Sequence, residues 1–147
     1  MSTKVEKAVN CFKEGSCCSQ AVLSVYAEEF GLSQEAALKI SCGFGGGMGR
    51  MARTCGAVTG AFMVIGLKHG NAHTNDKQSR EKTYDLVREF AFRFEERNGS
   101  IVCRDLLDCD ISEPEGFRSA KEIGLFTSIC PEMVRDAAEI LEEMMNE

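Results

Sequence analysis

The sequence predicts an all-α fold, a compact multi-helix bundle with a glycine-rich loop near a cysteine site. Three observations carry that expectation. Apolar residues recur at three- and four-residue spacing through most of the chain, the period of a half-buried helix. No segment alternates apolar and polar residues as a strand does. Residues suited to helix starts and stops punctuate the chain at the ends of those periods. At 147 residues the chain fits a single helical domain, 1–147. A chain of this length buries roughly 68–70% of its unfolded surface.

The elements follow in order. Val5, Ala8, Val9 and Phe12 fit a first helix ending near Gly15. Ala21, Val22, Val25, Tyr26 and Phe30 fit a second. Gly31 closes it, because a helix C-terminus often needs a left-handed residue. Ser33 caps a third helix carrying Ala36, Ala37 and Ile40. The segment from Cys42 through Gly49 holds five glycines, which break any helix. A fourth helix runs from about Cys55 to Leu67, with Gly70 after it. Its Gly56, Ala57, Gly60 and Ala61 form a small-residue face that allows close helix approach. Asn75 caps the fifth and longest helix, lined on one side by Tyr84, Val87, Phe90, Ala91 and Phe94. Asn98-Gly99 ends it. A short helical turn covers Cys103 to Asp108. Ser112-Glu-Pro-Glu115 has capping-box spacing and opens a short helix towards Ile123. Cys130-Pro131 starts the last helix, with proline at its first position. Met133, Ala137, Ile140, Leu141 and Met144 are its apolar stripe.

Composition excludes several classes of function. Seventeen Lys plus Arg against 23 Asp plus Glu give a net charge of −6. An acidic chain without a basic stripe is a poor binder of nucleic acid. No stretch approaches the 18 apolar residues of a membrane span; the best, Gly56 to Leu67, is short and holds three glycines. Met1 to Asn10 is polar, without the apolar centre of a signal peptide. The expected location is therefore cytoplasmic.

There are eight cysteines: 11, 17, 18, 42, 55, 103, 109 and 130. Eight in 147 is about 5%, below the 8–10% of a disulfide scaffold. In a reducing compartment such a count points to redox or metal chemistry. Their placement sharpens this. Cys17 and Cys18 open the second helix, Cys55 the fourth, Cys103 the short turn and Cys130 the last helix. Helix N-termini favour thiolate over thiol, and thiolate is the form that binds metal or attacks a disulfide. The bland reading is that each is a small buried hydrophobe.

Other motifs are weaker. No Cys-x-x-Cys occurs, so thioredoxin, zinc-ribbon and covalent-haem patterns are absent. Gly47-Met-Gly-Arg-Met-Ala52 matches a dinucleotide fingerprint in letters, but it follows a helical segment and not a strand. The glycine loop reads better as backbone packed close to a site. Arg50 and Arg53 can then place positive charge beside Cys55 and lower its pKa. His69 and His73 are four apart, but Gly70 breaks the helix that would align them. The acidic run from Glu139 to Glu147 reads as a solvated face.

Several segments together resemble the C_GCAxxG_C_C family of small prokaryotic redox-active proteins. They are Cys18-Ser-Gln-Ala-Val-Leu23, Gly43-Phe-Gly-Gly-Gly-Met48, Cys55-Gly-Ala-Val-Thr-Gly60, Cys103-Arg-Asp-Leu-Leu107 and Cys130. The resemblance covers nearly the whole chain. This chain reads CGAxxG, with Thr54 before Cys55, where the family name has GCAxxG. The resemblance implies that Cys18, Cys55, Cys103 and Cys130 are the family's four characteristic cysteines. Cys11, Cys17, Cys42 and Cys109 are then extras, although Cys17 and Cys42 lie close enough in sequence to take part. A related domain in split-Soret cytochromes holds an iron centre by cysteines beside haem.

The expected function is a small cytosolic redox protein whose four cysteines converge on one site. In one form they ligate an iron–sulfur cluster, most simply [2Fe–2S]. The backbone of Gly45, Gly46 and Gly47, with Arg50, would then shield the cluster and the protein would transfer electrons. In the other form no cofactor is needed. Cys55 attacks a disulfide and a second cysteine, Cys18, resolves the product. The partner is a redox protein or a small-molecule thiol. The rival from another class is a non-catalytic helical module, its cysteines buried or holding structural zinc, its helices serving a partner or a homodimer.

Overall fold

The computed structural model describes residues 3–147. Its helices are α1 (Thr3–Lys13), α2 (Cys18–Ala27), α3 (Gln34–Cys42), α4 (Gly56–His69), α5 (Lys77–Asn98), α6 (Cys103–Leu107), α7 (Pro114–Glu122), α8 (Leu125–Ser128) and α9 (Cys130–Met145). A 3-10 turn, Glu28–Phe30, extends α2. The all-α expectation holds. Among the described residues there is no strand, and the single β-type pairing is an isolated antiparallel bridge between Thr54 and Val102.

Local chemistry sets the boundaries, with three departures from the sequence reading. Asp76, one residue past Asn75, caps α5, its carboxylate accepting from the Ser79 N–H at 3.1 Å. Ser112 does not cap α7. Its N–H bonds the Asp110 carboxylate at 3.0 Å, and Glu113 with Pro114 begins the helix instead. The four-residue α8 carries no sequence signal of its own; it follows Gly124, which is left-handed at φ 80°.

The main core joins α1, α2, α4, α5 and α9 through residues such as Val9, Val22, Tyr26, Val58, Phe90 and Ile140. Phe90 meets Phe62 edge-on at 6.0 Å and stacks on Phe94 at 6.1 Å. Two expected core residues point outward: Tyr84 is 51% exposed and Ile40 54%. Six residues separate Tyr84 from Phe90, roughly 240° around the helix, so Tyr84 lies off the buried stripe. On α3, Ala37 and Ser41 are the buried pair, which leaves Ile40 outside. A second, smaller cluster forms around Ala52, Cys103, Leu107, Ile111 and Ala120, with Phe117 and Phe126 against it.

The acidic end of α9 is a paired face and not merely a solvated one. Glu139 and Glu143 bond Arg97, and Glu147 bonds Arg93. Such exposed pairs are each worth about 0.2–1 kcal/mol. The Tyr26 hydroxyl donates to Glu142 at 2.8 Å. No helix is long and apolar enough to cross a membrane among the described residues.

Candidate functional site

Each of the four helix starts brings a cysteine. Cys18, Cys103 and Cys130 are the first residues of α2, α6 and α9, and Cys55 is the N-cap of α4. Two local devices bring these starts together. The first is the small-residue face of α4. A Cβ on Gly60 would stand 2.9 Å from the Ser19 carbonyl oxygen, and one on Gly56 would stand 3.1 Å from the Ser19 nitrogen and 3.2 Å from Cys18 Cβ. Only glycine lets the two backbones meet there, and the contact sets Cys55 beside Cys18. The second is the short bridge around Thr54. The Cys55 N–H donates to the Ile101 carbonyl at 2.8 Å, and the Cys103 N–H to the Arg53 carbonyl at 2.6 Å. That pairing ties the start of α6 to the start of α4.

The thiols are close enough to perturb one another: Cys130 and Cys55 act on Cys18, and Cys55 and Cys130 on Cys103. The Cys55 thiol is held below the ordinary value, first by the hydrogen bond from Cys18, and further by the Ala57 and Val58 backbone N–H groups; burial opposes this. Both N–H groups belong to the first turn of α4, at the positive end of the helix dipole, and that of Val58 also donates to the Cys55 carbonyl at 3.0 Å. Cys18 is pushed well above the ordinary value, first by its bond to Cys130, then by Cys55 and by burial. Burial, then the charges of Cys55 and Cys130, pushes Cys103 up to about 12. The start of α4 and Cys18 thus favour the thiolate at Cys55, whereas Cys18 and Cys103 are favoured as thiols.

These cysteines face a cavity of about 720 Å³ at the seam between the two apolar clusters. Cys17 and Cys42 also line it. Cys17 Sγ lies 3.3 Å from Ser19 Oγ, and Cys42 is exposed. Cys11 and Cys109 do not line it. Cys11 lies 3.9 Å from Ser24 Oγ, and Cys109 donates to the Gly116 carbonyl at 3.2 Å.

The glycine-rich loop packs its backbone on this site. A Cβ on Gly45 would stand 2.7 Å from Cys17 Cβ, and one on Gly47 would stand 2.6 Å from the Arg53 nitrogen and 2.8 Å from Cys103 Cβ. From Gly46 to Arg50 five successive residues are left-handed, φ 59° to 69°, and Ala52 follows at 61°. A left-handed turn costs an L-residue roughly 1–2 kcal/mol. Three glycines relieve the strain at their positions; Met48, Arg50 and Ala52 carry it. The turn is held by Ala52 N–H to the Gly46 carbonyl at 3.1 Å and Arg53 N–H to the Gly47 carbonyl at 2.9 Å. This geometry corrects one expectation. Arg50 does not set the Cys55 thiol; the left-handed turn carries its guanidinium over the Phe117 ring, 4.3 Å from the centroid. Neither Arg50 nor Arg53 is among the groups that shift Cys55.

Sequence reasoning missed the far wall, formed by α7 and α8 through Phe117, Lys121 and Phe126. Among the described residues, no group of three or more His, Cys, Asp or Glu is disposed to hold a metal ion. Cys18, Cys55, Cys103 and Cys130 are the residues whose thiolates would hold an iron–sulfur cluster if one were bound.

No curated protein and no solved structure matches the chain. Residues 16–144 match a family described as "Putative redox-active protein (C_GCAxxG_C_C)". The matched span includes every cysteine that lines the cavity. By that match over nearly its whole length, the chain belongs to the C_GCAxxG_C_C family.

Proposed function

We propose that the protein is a thiol–disulfide redox protein with Cys55 as nucleophile and Cys18 as resolving thiol. One observation carries the reading: the close approach of Gly56 to Cys18 sets Cys55 beside Cys18 on the cavity wall, where Cys18 and the start of α4 hold the Cys55 sulfur below the ordinary value. The Cys55 thiolate attacks a substrate disulfide and one substrate thiolate leaves, taking the Cys18 proton. Cys18 then attacks Cys55 Sγ, the mixed disulfide breaks, and the second substrate sulfur leaves as a thiolate that takes a proton from water. Two electrons pass from the protein dithiol to the substrate, and the protein holds a Cys18–Cys55 disulfide. A reducing thiol of the cytoplasm or a redox partner protein restores it.

A second reading rests on Cys103, whose thiol feels both Cys55 and Cys130. Cys18, Cys55, Cys103 and Cys130 would then hold an iron–sulfur cluster, which supplies one-electron transfer when bound.

Alkylation across pH tests the first reading. Modification of Cys55, followed by mass spectrometry, is expected to reach its plateau below the ordinary thiol value of 9.0. In Cys18→Ala the plateau is expected to move up, because the hydrogen bond that favours the thiolate is gone. A Cys55 that titrates at or above the ordinary value in the native protein contradicts the reading. Iron and acid-labile sulfide in anaerobically purified protein, near two of each per chain, would favour the cluster.

A further inference from the structure

The charges around the cavity run against those of the chain. The protein carries −6, yet the described residues that line the cavity include no Asp or Glu. Its charged lining residues are Arg50 and Lys121. Among the described residues neither is in an ion pair; the ion pairs of the molecule lie elsewhere, on Arg93, Arg97, Arg104 and Arg135 for example. Arg50 is fixed over Phe117, one helical turn before Lys121 on α7. The rest of the lining beyond the cysteines is largely apolar, from Phe12, Leu106, Ile111, Phe117, Phe126 and Met133. A volume of about 720 Å³ lies within the usual range for a small-molecule site. A protein disulfide meeting a surface thiol needs no such chamber.

We propose that the cavity takes a small disulfide on an aliphatic chain ending in a carboxylate. This deepens the thiol–disulfide reading and rests on it. The disulfide lies against Cys55 and Cys18, the hydrocarbon against the phenylalanine and leucine wall, and the carboxylate at Arg50 and Lys121. Desolvation of the chain supplies binding, and the two cations select an anionic end over a neutral one. For a cyclic disulfide the balance is direct. Cys55 sulfur bonds one ring sulfur, the ring S–S bond breaks, and the freed ligand thiolate takes the Cys18 proton. Cys18 sulfur then bonds Cys55 sulfur, releasing the ligand as a dithiol after it gains a proton from water. The ligand gains two electrons and the protein loses two.

The test uses the full, reduced chain in single turnover under anaerobic conditions. The probes are lipoate, a cyclic disulfide on a pentanoate chain; lipoamide, its uncharged amide; oxidised glutathione, a polar disulfide; and hydroxyethyl disulfide, small and uncharged. Each rate is divided by that of dithiothreitol with the same probe, which removes intrinsic reactivity. Lipoate is expected to exceed lipoamide about fivefold at low salt, the worth of about 1 kcal/mol of partly exposed charge pairing. Lipoamide is expected to exceed oxidised glutathione. In the double variant Arg50→Gln, Lys121→Gln the ratio of lipoate to lipoamide is expected to fall to about one. Equal rates for lipoate and lipoamide in the native protein, or oxidised glutathione as the fastest probe, would overturn the assignment while hydroxyethyl disulfide still reacts and the thiol reading stands. If hydroxyethyl disulfide and the other probes all fail to oxidise the protein, the thiol–disulfide reading fails and the assignment with it.

Discussion

Cys55→Ser is expected to lower the rate of disulfide reduction about a hundredfold or more, because a serine hydroxyl is not ionised where the thiolate was. Cys18→Ser should behave differently. Attack still occurs, but no thiol resolves the product, so a covalent mixed disulfide accumulates on Cys55 and turnover stops after one event. Mass spectrometry of the intact protein reads that adduct directly. Cys103→Ser and Cys130→Ser retain both reacting sulfurs and should keep most of the single-turnover rate. Equal losses in all four variants would contradict the two-thiol assignment and match a four-thiolate ligand set. The pattern across the four, more than any single loss, separates the two readings.

Gly47→Ala is expected to destabilise the protein by about 2–4 kcal/mol, combining left-handed strain with a backbone overlap. Its φ is +69°, and the added Cβ would stand 2.6 Å from a backbone nitrogen that cannot swing away. Typical total stability is about 5–15 kcal/mol, so the loss is large. Urea midpoints at constant slope measure it. Gly43→Ala is the control. Gly43 has φ −72° and nothing within 4 Å of an added Cβ, so its change should stay within about 0.5 kcal/mol. If the two variants are alike, the loop does not pack on Cys103 as described.

The helices and the cysteines that open them were legible because helix starts are local. Gly31, Ser33, Gly99 and Pro131 act within a few residues of themselves. The convergence was only half legible. Gly56 and Gly60 announced a close approach, but nothing in the sequence names Ser19 as the backbone they meet. Cys103 reaches Cys55 through a single bridge between Thr54 and Val102, distant in sequence and too short to leave a strand period. The extra cysteines could not be sorted by sequence: Cys17 and Cys42 line the cavity, whereas Cys11 and Cys109 do not. Arg50 is only five residues from Cys55 in sequence. Five successive left-handed residues redirect it to Phe117, and no propensity scale foresees such a turn. The far wall was invisible for a similar reason, since a four-residue helix such as α8 completes little more than one turn.

The central claim is that Cys18 and Cys55 form one redox couple, and disulfide mapping tests it most directly. Reduced protein is equilibrated anaerobically across a series of thiol–disulfide buffers, trapped by alkylation and digested. The account predicts that Cys18 and Cys55 lose and regain their thiols together, as a two-electron couple linked to each other, while Cys11 and Cys109 stay reduced. Eight free thiols at every buffer poise, or a reversible bridge that leaves out Cys55, would contradict it.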